Sequence, residues 1–209
     1  MNIFNFDSRA YRFLEKITDF LLLNMLWIIF CLPIFTIFPA TAAMFGVVRS
    51  WLRKEEPSLT RMFFKFFKDH FKQGFILGII WTCLGVLISF NIFVGFQMDG
   101  SLKNVLLPTL IFIGVLFLFT SIYLFPIMVN YKNNGIGIIK NSFLFSISHP
   151  LTTILGILML TVVVLATSVI PLSFLVLSSI VAYFNYYLCS KSFRKVERQK
   201  NISFKKEVS

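Results

Sequence analysis

The stretch "CLPIFTIFPATAAMFG", Cys31–Gly46, decides the fold, because it holds two prolines six residues apart inside a long apolar run. Either the chain passes straight through a membrane here, or it turns round and comes back. Proline lacks a backbone N–H and its ring disrupts a continuing helix, so Pro33 and Pro39 favour a turn. The choice sets the number of membrane spans and the side on which the basic segments lie.

The composition is that of an integral membrane protein. The chain has 209 residues, of which 57% are hydrophobic and 14% are charged, whereas soluble domains carry about 25% charged residues. Several apolar runs are long enough to cross a bilayer, which takes about 20 helical residues. The net charge of +11 then fits the excess of Lys and Arg expected beside membrane spans. Nucleic-acid binding is not indicated, because no basic stretch belongs to a domain large enough to fold alone.

The apolar runs predict an all-α fold, a polytopic helical bundle that forms a single membrane domain over residues 1–209. Six transmembrane helices are predicted, with five as the alternative, and Pro171 is expected to form a tight turn between the last two. The predicted spans are 19–38, 39–53, 74–97, 105–131, 151–170 and 172–189. Two short interfacial helices are predicted at 58–73 and 136–148, followed at the end by a basic cytoplasmic tail at 190–209.

The distribution of Lys and Arg favours six spans. If the chain turns round at Cys31–Gly46, 19 of the 20 basic residues lie on the inner side and one, Lys103, lies outside. If it passes straight through, the division is 16 against four. Cytoplasmic loops carry the excess of Lys and Arg, so the hairpin is favoured and both termini are predicted to be cytoplasmic. The second span is short, because the 15 residues of 39–53 make a helix of about 22 Å against a hydrocarbon core of about 30 Å.

The stretch "SLTRMFFKFFKDHFKQGF", 58–75, predicts an amphipathic helix in the cytoplasmic interface. At 100° per residue its cations fall on one narrow face and its apolar side chains on the opposite face. Such a helix would place its rings in the acyl boundary and its cations among anionic headgroups. The alternative is that this face docks a partner protein. The cationic face consists of Arg61, Lys65, Lys68 and Lys72, and the apolar face of Leu59, Phe63, Phe66, Phe67 and Phe71.

The sequence contains no recognisable catalytic or metal-binding motif, and no cofactor is indicated. All nine acidic residues lie outside the centres of the predicted spans, as do all Lys and Arg. Ionisable residues inside the membrane mark ion-coupled pathways, so a proton- or sodium-coupled pump is disfavoured. Enzymatic activity would require His70 and His149, the two histidines, to meet in a polar pocket.

Mild polarity remains inside the predicted spans, and the strongest cases are four asparagines. They are expected to form hydrogen bonds between helices, each contributing less than about 2 kcal/mol. The alternative is that they line a path for a solute. The four are Asn24, Asn91, Asn130 and Asn185.

Two stretches, "LLLNMLWIIFCLPIFTIFPATAAMFGVV" (21–48) and "FFKFFKDHFKQGFILG" (63–78), resemble the YesL-like family of uncharacterised bacterial integral membrane proteins, a domain of unknown function. The chain departs from the family pattern at Phe38, where a small residue is expected before the proline. The matching features are Asn24 with Trp27, the break at Leu32–Pro33, Thr36, the Pro39-Ala-Thr-Ala-Ala run and Gly74.

The resemblance implies a multi-pass protein of the bacterial plasma membrane, often encoded near carbohydrate uptake systems and glycosidases. It implies no reaction and no binding residues. The leading hypothesis is therefore a non-enzymatic accessory or regulatory component associated with carbohydrate uptake, whose partner is a transporter or sensor protein of the membrane. A small-solute permease or channel subunit is the alternative.

Overall fold

A computed structural model describes residues 9–55, 58–100, 102–131, 134–170 and 173–208, and within these ranges the chain is helical with no β-strand. A short 3-10 turn, Ile34–Thr36, lies between the first two helices. The helices are α1 (Arg9–Cys31), α2 (Ile37–Leu52), α3 (Leu59–Gln97), α4 (Lys103–Asn130), α5 (Gly135–Ser148), α6 (Pro150–Val169) and α7 (Phe174–Val208).

The chain reverses direction between α1 and α2, as the prolines predicted. The rings of Phe20 and Trp51 are 5.1 Å apart, and the indole Nε1 of Trp27 donates a hydrogen bond of 3.1 Å to Thr41. A helix continuing straight would separate Phe20 and Trp51 by about 46 Å, at 1.5 Å per residue. The hairpin is therefore confirmed, whereas the total of six spans stays a prediction.

Pro33 and Pro39 have different roles in this hairpin. Pro33 disfavours the helical conformation of the residue before it, and α1 accordingly ends at Cys31. The hydroxyl of Thr36 holds the turn by donating to the carbonyl of Pro33 at 2.6 Å. Pro39 lies in the first turn of α2, where a backbone N–H has no partner within the helix and proline is tolerated. The predicted boundary between residues 38 and 39 was therefore wrong, because α2 begins at Ile37.

The predicted division between an interfacial helix at 58–73 and a span at 74–97 was also wrong. One helix, α3, runs for 39 residues from Leu59 to Gln97. The composition changes from basic to apolar near Gly74, but a change of polarity does not interrupt the backbone hydrogen bonds. A single glycine costs a helix only about 1 kcal/mol.

The remaining helices lie close to the predicted segments. The structure places α4, α5 and α6 within about two residues of the predictions for 105–131, 136–148 and 151–170. The last helix differs, because α7 continues through the predicted tail at 190–209 as far as Val208. The predicted turn at Pro171 lies outside the described residues.

Small residues bring α2 against the N-terminal half of α3. A Cβ atom added at Gly74 would lie 3.1 Å from the Cα of Pro39, and one at Gly78 would lie 2.7 Å from the ring of Phe38. Phe38, the departure from the family pattern, therefore fills the space that Gly78 leaves. Close approach of this kind is typical of helix packing in membranes.

Within the described residues, four helical stretches are long and apolar enough to cross a membrane: Ile34–Leu52, Leu59–Gln97, Lys103–Asn130 and Pro150–Val169. The first is the inner one, because 61% of its apolar window is buried, against 17% in α3 and 11% in both α4 and α6. The C-terminal half of α3 pairs with α4, and most of the large apolar side chains there are exposed. The described residues therefore form an all-helical protein with an apolar outer surface suited to lipid.

Candidate functional site

The four predicted cations of α3 all lie at the surface of the protein. Each of their side chains is exposed, and none has a hydrogen bond or ion pair to a residue in the described ranges. Their spacing along one helix places them on one face, because positions three and four residues apart are neighbours. We call this face, made by Arg61, Lys65, Lys68 and Lys72, the basic face.

The rings predicted to dip into lipid beside the basic face instead pack inside the protein. Phe63 is fully buried, and the ring of Phe30 in α1 lies 5.5 Å from that of Phe63 and 4.8 Å from that of Phe67. The ring of Phe66 covers Gly46 of α2. These three rings therefore pack against α1 and α2, which corrects the expectation that they are inserted among acyl chains. Phe64, by contrast, is 51% exposed.

Two of the four predicted asparagines connect different helices. Asn24 is buried, donates to the hydroxyl of Ser179 at 2.7 Å and accepts from the backbone N–H of the same residue at 3.0 Å. Asn130, at the end of α4, accepts from Arg53 of α2 at 3.2 Å and from Tyr186 of α7 at 3.3 Å.

The other two asparagines bond within their own helices. Asn91 is exposed and donates to the carbonyl of Leu87 at 2.7 Å. Asn185 is buried and accepts from the thiol of Cys189 at 3.4 Å. Three of the four therefore tie polar groups together inside the helical packing, and none of the four lines the larger of the two cavities described below.

The larger cavity, of about 620 Å³, is a lateral groove along the C-terminal half of α3. Thr82 and Ser89 are the hydroxyl-bearing residues of its lining, and Trp81 at its edge already donates to Ser121 at 2.9 Å. The rest of the lining is aromatic, aliphatic or glycine: Phe38, Gly85, Val86, Phe90, Phe93 and Phe117, besides Trp81. The groove therefore suits an apolar occupant rather than a polar solute.

The smaller cavity, of about 220 Å³, is polar and lies where α2 and α4 end beside α7. Arg53 and Arg194 stand on its wall together with Asn130, Tyr186 and Ser190. Arg49, one turn before Arg53, lies beside Tyr186. We call this the arginine cavity.

Asn130 was predicted from the sequence as a polar contact between helices, but the other polar residues of the arginine cavity were not predicted. A signal was present, because Tyr186, Ser190 and Arg194 recur every four residues and so share one face of a helix. Arg49 and Arg53 repeat the same spacing on α2. What the sequence could not give is that these two faces meet.

The two histidines have different surroundings. The ring of His70 stacks on Phe66 at 6.3 Å, and that of His149 on Phe145 at 6.0 Å. Burial, with nearby Lys195 as the second cause, lowers the pKa of His149 below its ordinary value. Neither histidine lines either of the two cavities described above, so neither of these cavities is the pocket that the enzymatic hypothesis needs.

Comparison with known proteins finds relatives of unknown function. A family model described as "Protein of unknown function, DUF624" matches residues 20–92. Three uncharacterized proteins of Bacillus subtilis (strain 168) are similar to the chain. YesL is 31% identical over 137 residues, 64% of this chain. YteU is 30% identical over 146 residues, 68% of this chain, and YesV is 29% identical over 152 residues, also 68%.

The matches leave part of each relative uncovered, since the chain spans 64% of the length of YesL, 65% of YteU and 71% of YesV. No solved structure matches the chain. Helices able to cross a membrane define the general class, an all-helical membrane protein. The more particular prediction, a resemblance to the YesL-like family of unknown function, is confirmed by the family model together with these relatives.

Proposed function

We propose that this chain is a non-enzymatic accessory component of the bacterial plasma membrane, which acts by contact with another membrane protein. The basic face carries the proposal, because it presents four exposed cations that have no partner in the described ranges. Cations placed this way favour an acidic partner or anionic headgroups at the cytoplasmic surface. The family resemblance adds carbohydrate uptake as the setting, with a transporter permease or a sensor kinase as the partner.

The proposed topology places the basic face in the cytoplasm. In it the chain crosses the membrane six times, with the α1–α2 hairpin supplying the first two crossings and both termini cytoplasmic. The near contact of Phe20 with Trp51 supports this arrangement, because it keeps the two basic ends of the hairpin together. The same topology leaves Lys103 on the outer side.

Affinity purification from native membranes tests the proposal. The wild-type chain is expected to recover a carbohydrate permease or a sensor kinase. Replacing Arg61, Lys65, Lys68 and Lys72 together by Gln should lower that recovery about tenfold or more, because surface ion pairs contribute about 0.2–1 kcal/mol each. The matched control is Lys103→Gln, which removes a cation at the start of α4, beside the C-terminal end of α3. Recovery of neither class of protein, or equal recovery by the fourfold variant, would contradict the proposal.

The alternative, a small-solute permease or channel subunit, requires a continuous polar path between the helices. The lateral groove weighs against it, because its walls are mostly aromatic and aliphatic. The two cavities also share no lining residue. Solute flux into proteoliposomes that contain the purified chain would favour the alternative over the accessory function.

A further inference from the structure

The arginine cavity has more hydrogen-bond donors than acceptors. The single side-chain oxygen of Asn130 already accepts from both Arg53 and Tyr186, and the amide nitrogen of the same residue has two N–H groups with no acceptor in the described ranges. The Nε of Arg49 is buried and has no hydrogen-bond partner among the described residues. A ligand in the cavity that accepts hydrogen bonds would satisfy the amide of Asn130, whereas Arg49, which is not part of the wall, adds only its charge.

The charge of the arginine cavity is also unbalanced. Arg53 and Arg194 are part of its wall, and no carboxylate of the described residues lines it. A third guanidinium, that of Arg49, lies behind the wall beside Tyr186. Glu55 is the acid that offsets Arg49. The ends of α2 and α4 each contribute about half a negative elementary charge. Together these offset about two of the three positive charges, so the cavity retains a net positive charge.

We propose that the arginine cavity binds a phosphate group. A guanidinium matches phosphate geometry with two parallel hydrogen bonds, and the amide N–H groups of Asn130 add donors from another direction. The volume of about 220 Å³ is several times the share of one water molecule, about 30 Å³. The inference does not depend on the accessory function, because none of the four residues of the basic face is in this wall.

The phosphate can come from an anionic phospholipid headgroup or from a soluble phosphate compound. The full chain, purified in a non-ionic detergent, would be titrated separately with inorganic phosphate and with a short-chain phosphatidylglycerol, at constant ionic strength. Short-chain phosphatidylcholine is the comparison lipid, because it carries the phosphate without net negative charge. The rise of the thermal unfolding midpoint with ligand concentration gives the apparent Kd, since a ligand of the folded state stabilises by mass action.

Arg194→Gln is the informative variant, because Arg194 is exposed at the mouth of the cavity and its replacement should not disturb folding. We expect its apparent Kd to rise about tenfold, since hydrogen bonds to charged groups contribute about 1.5–3 kcal/mol. Arg194→Lys should recover part of the affinity, because it keeps the charge but loses the planar pair of donors. Arg61→Gln, on the basic face, should bind as the wild type does.

The thermal-unfolding titrations distinguish the two sources of phosphate and can also contradict the proposed site. A midpoint raised by phosphatidylglycerol alone, and dependent on Arg194, assigns the cavity to a lipid headgroup; one raised by inorganic phosphate assigns it to a soluble compound. No shift with either probe, or equal affinities for the wild type, Arg194→Gln and Arg61→Gln, would overturn the proposal. An effect of Arg61→Gln as large as that of Arg194→Gln would also overturn it, because binding would then follow overall charge.

Discussion

Gly46 leaves room for the ring of Phe66, and this contact sets how closely α2 and α3 approach. A Cβ atom at position 46 would lie 2.7 Å and 2.8 Å from the two Cδ atoms of that ring. Gly46 is buried, and Phe66 is half-buried against the hydrophobic core. The distance between these helices therefore depends on the absence of one methyl group.

Gly46→Ala is expected to destabilise the protein by about 1–2 kcal/mol. Overpacking costs about 1–3 kcal/mol, and the higher helix propensity of Ala returns up to about 1 kcal/mol. Gly95→Ala is the matched control, because its new Cβ would lie 3.7 Å from Leu110, an ordinary contact. Unfolding in detergent measures both variants. Equal stability of the two would show that Phe66 does not limit the approach of α2.

Asn24 fastens α1 to α7 through Ser179. Asn24→Ala removes both hydrogen bonds and leaves a buried hydroxyl without its donor, so we expect a loss of about 1–2 kcal/mol. Asn91→Ala should change little, because that exposed side chain bonds only to the backbone of its own helix in the described ranges. A comparison of the two unfolding midpoints tests this, and a larger loss in Asn91→Ala would contradict it.

At the scale of the elements, the α1–α2 hairpin makes a prediction about sidedness. In a background without the three native cysteines, a cysteine replacing Lys16 and one replacing Lys54 should both react with a membrane-impermeant maleimide added from the cytoplasmic side. A cysteine replacing Lys103 should react from the opposite side only. All three positions belong to exposed or loop-flanking parts of the chain. Labelling of positions 16 and 54 from opposite sides would rule out the proposed topology.

Elements whose ends are marked locally were predictable from the sequence. The turn after Cys31 follows from Pro33 alone, and α6 begins at Pro150, which suits the first turn of a helix. The long helices were not predicted, because polarity was used to end them: α3 continues past Lys72 and α7 past Cys189 although their character changes there. In both helices the backbone hydrogen bonds continue through the change of polarity, which does not by itself interrupt them.

For the candidate sites too, features set by neighbouring residues were predictable from the sequence, whereas contacts between distant segments were not. The basic face was predictable, because each of its four cations lies about one helical turn from the next along the sequence. Whether Phe63 faces lipid or protein was not, because an apolar side chain satisfies either. The arginine cavity joins Arg53 to Arg194, residues 141 positions apart, and only the packing of α2 against α7 brings them together.

At the scale of the whole molecule, the exposed apolar surface is concentrated on α3, α4 and α6. Leu87 and Leu158 are each 60% exposed, which would be costly in water, at about 25 cal/mol per Å² of apolar surface. The described helices therefore form a molecule whose outside is apolar along its long helices and charged along the basic face.

Spin labels test this division of the surface. A label at Leu87 or at Leu158 should collide with oxygen, which concentrates in the bilayer, and a label at Lys65 should collide with a water-soluble nickel chelate. A label at Ala43, which is fully buried, should be protected from both and so is the control. Strong collision of the label at Leu87 with the nickel chelate would contradict the proposed lipid-facing side of α3.

The central place of α2 has a consequence for how the protein is made. The surfaces that enclose its small side chains, from Ala40 to Gly46, come largely from α3, with further contacts from α4 and α7, and all three are encoded further along the chain. During synthesis α2 leaves the ribosome before any of them exists, and it is the least apolar of the four candidate membrane stretches. Its final packing therefore forms only after these later helices have been translated.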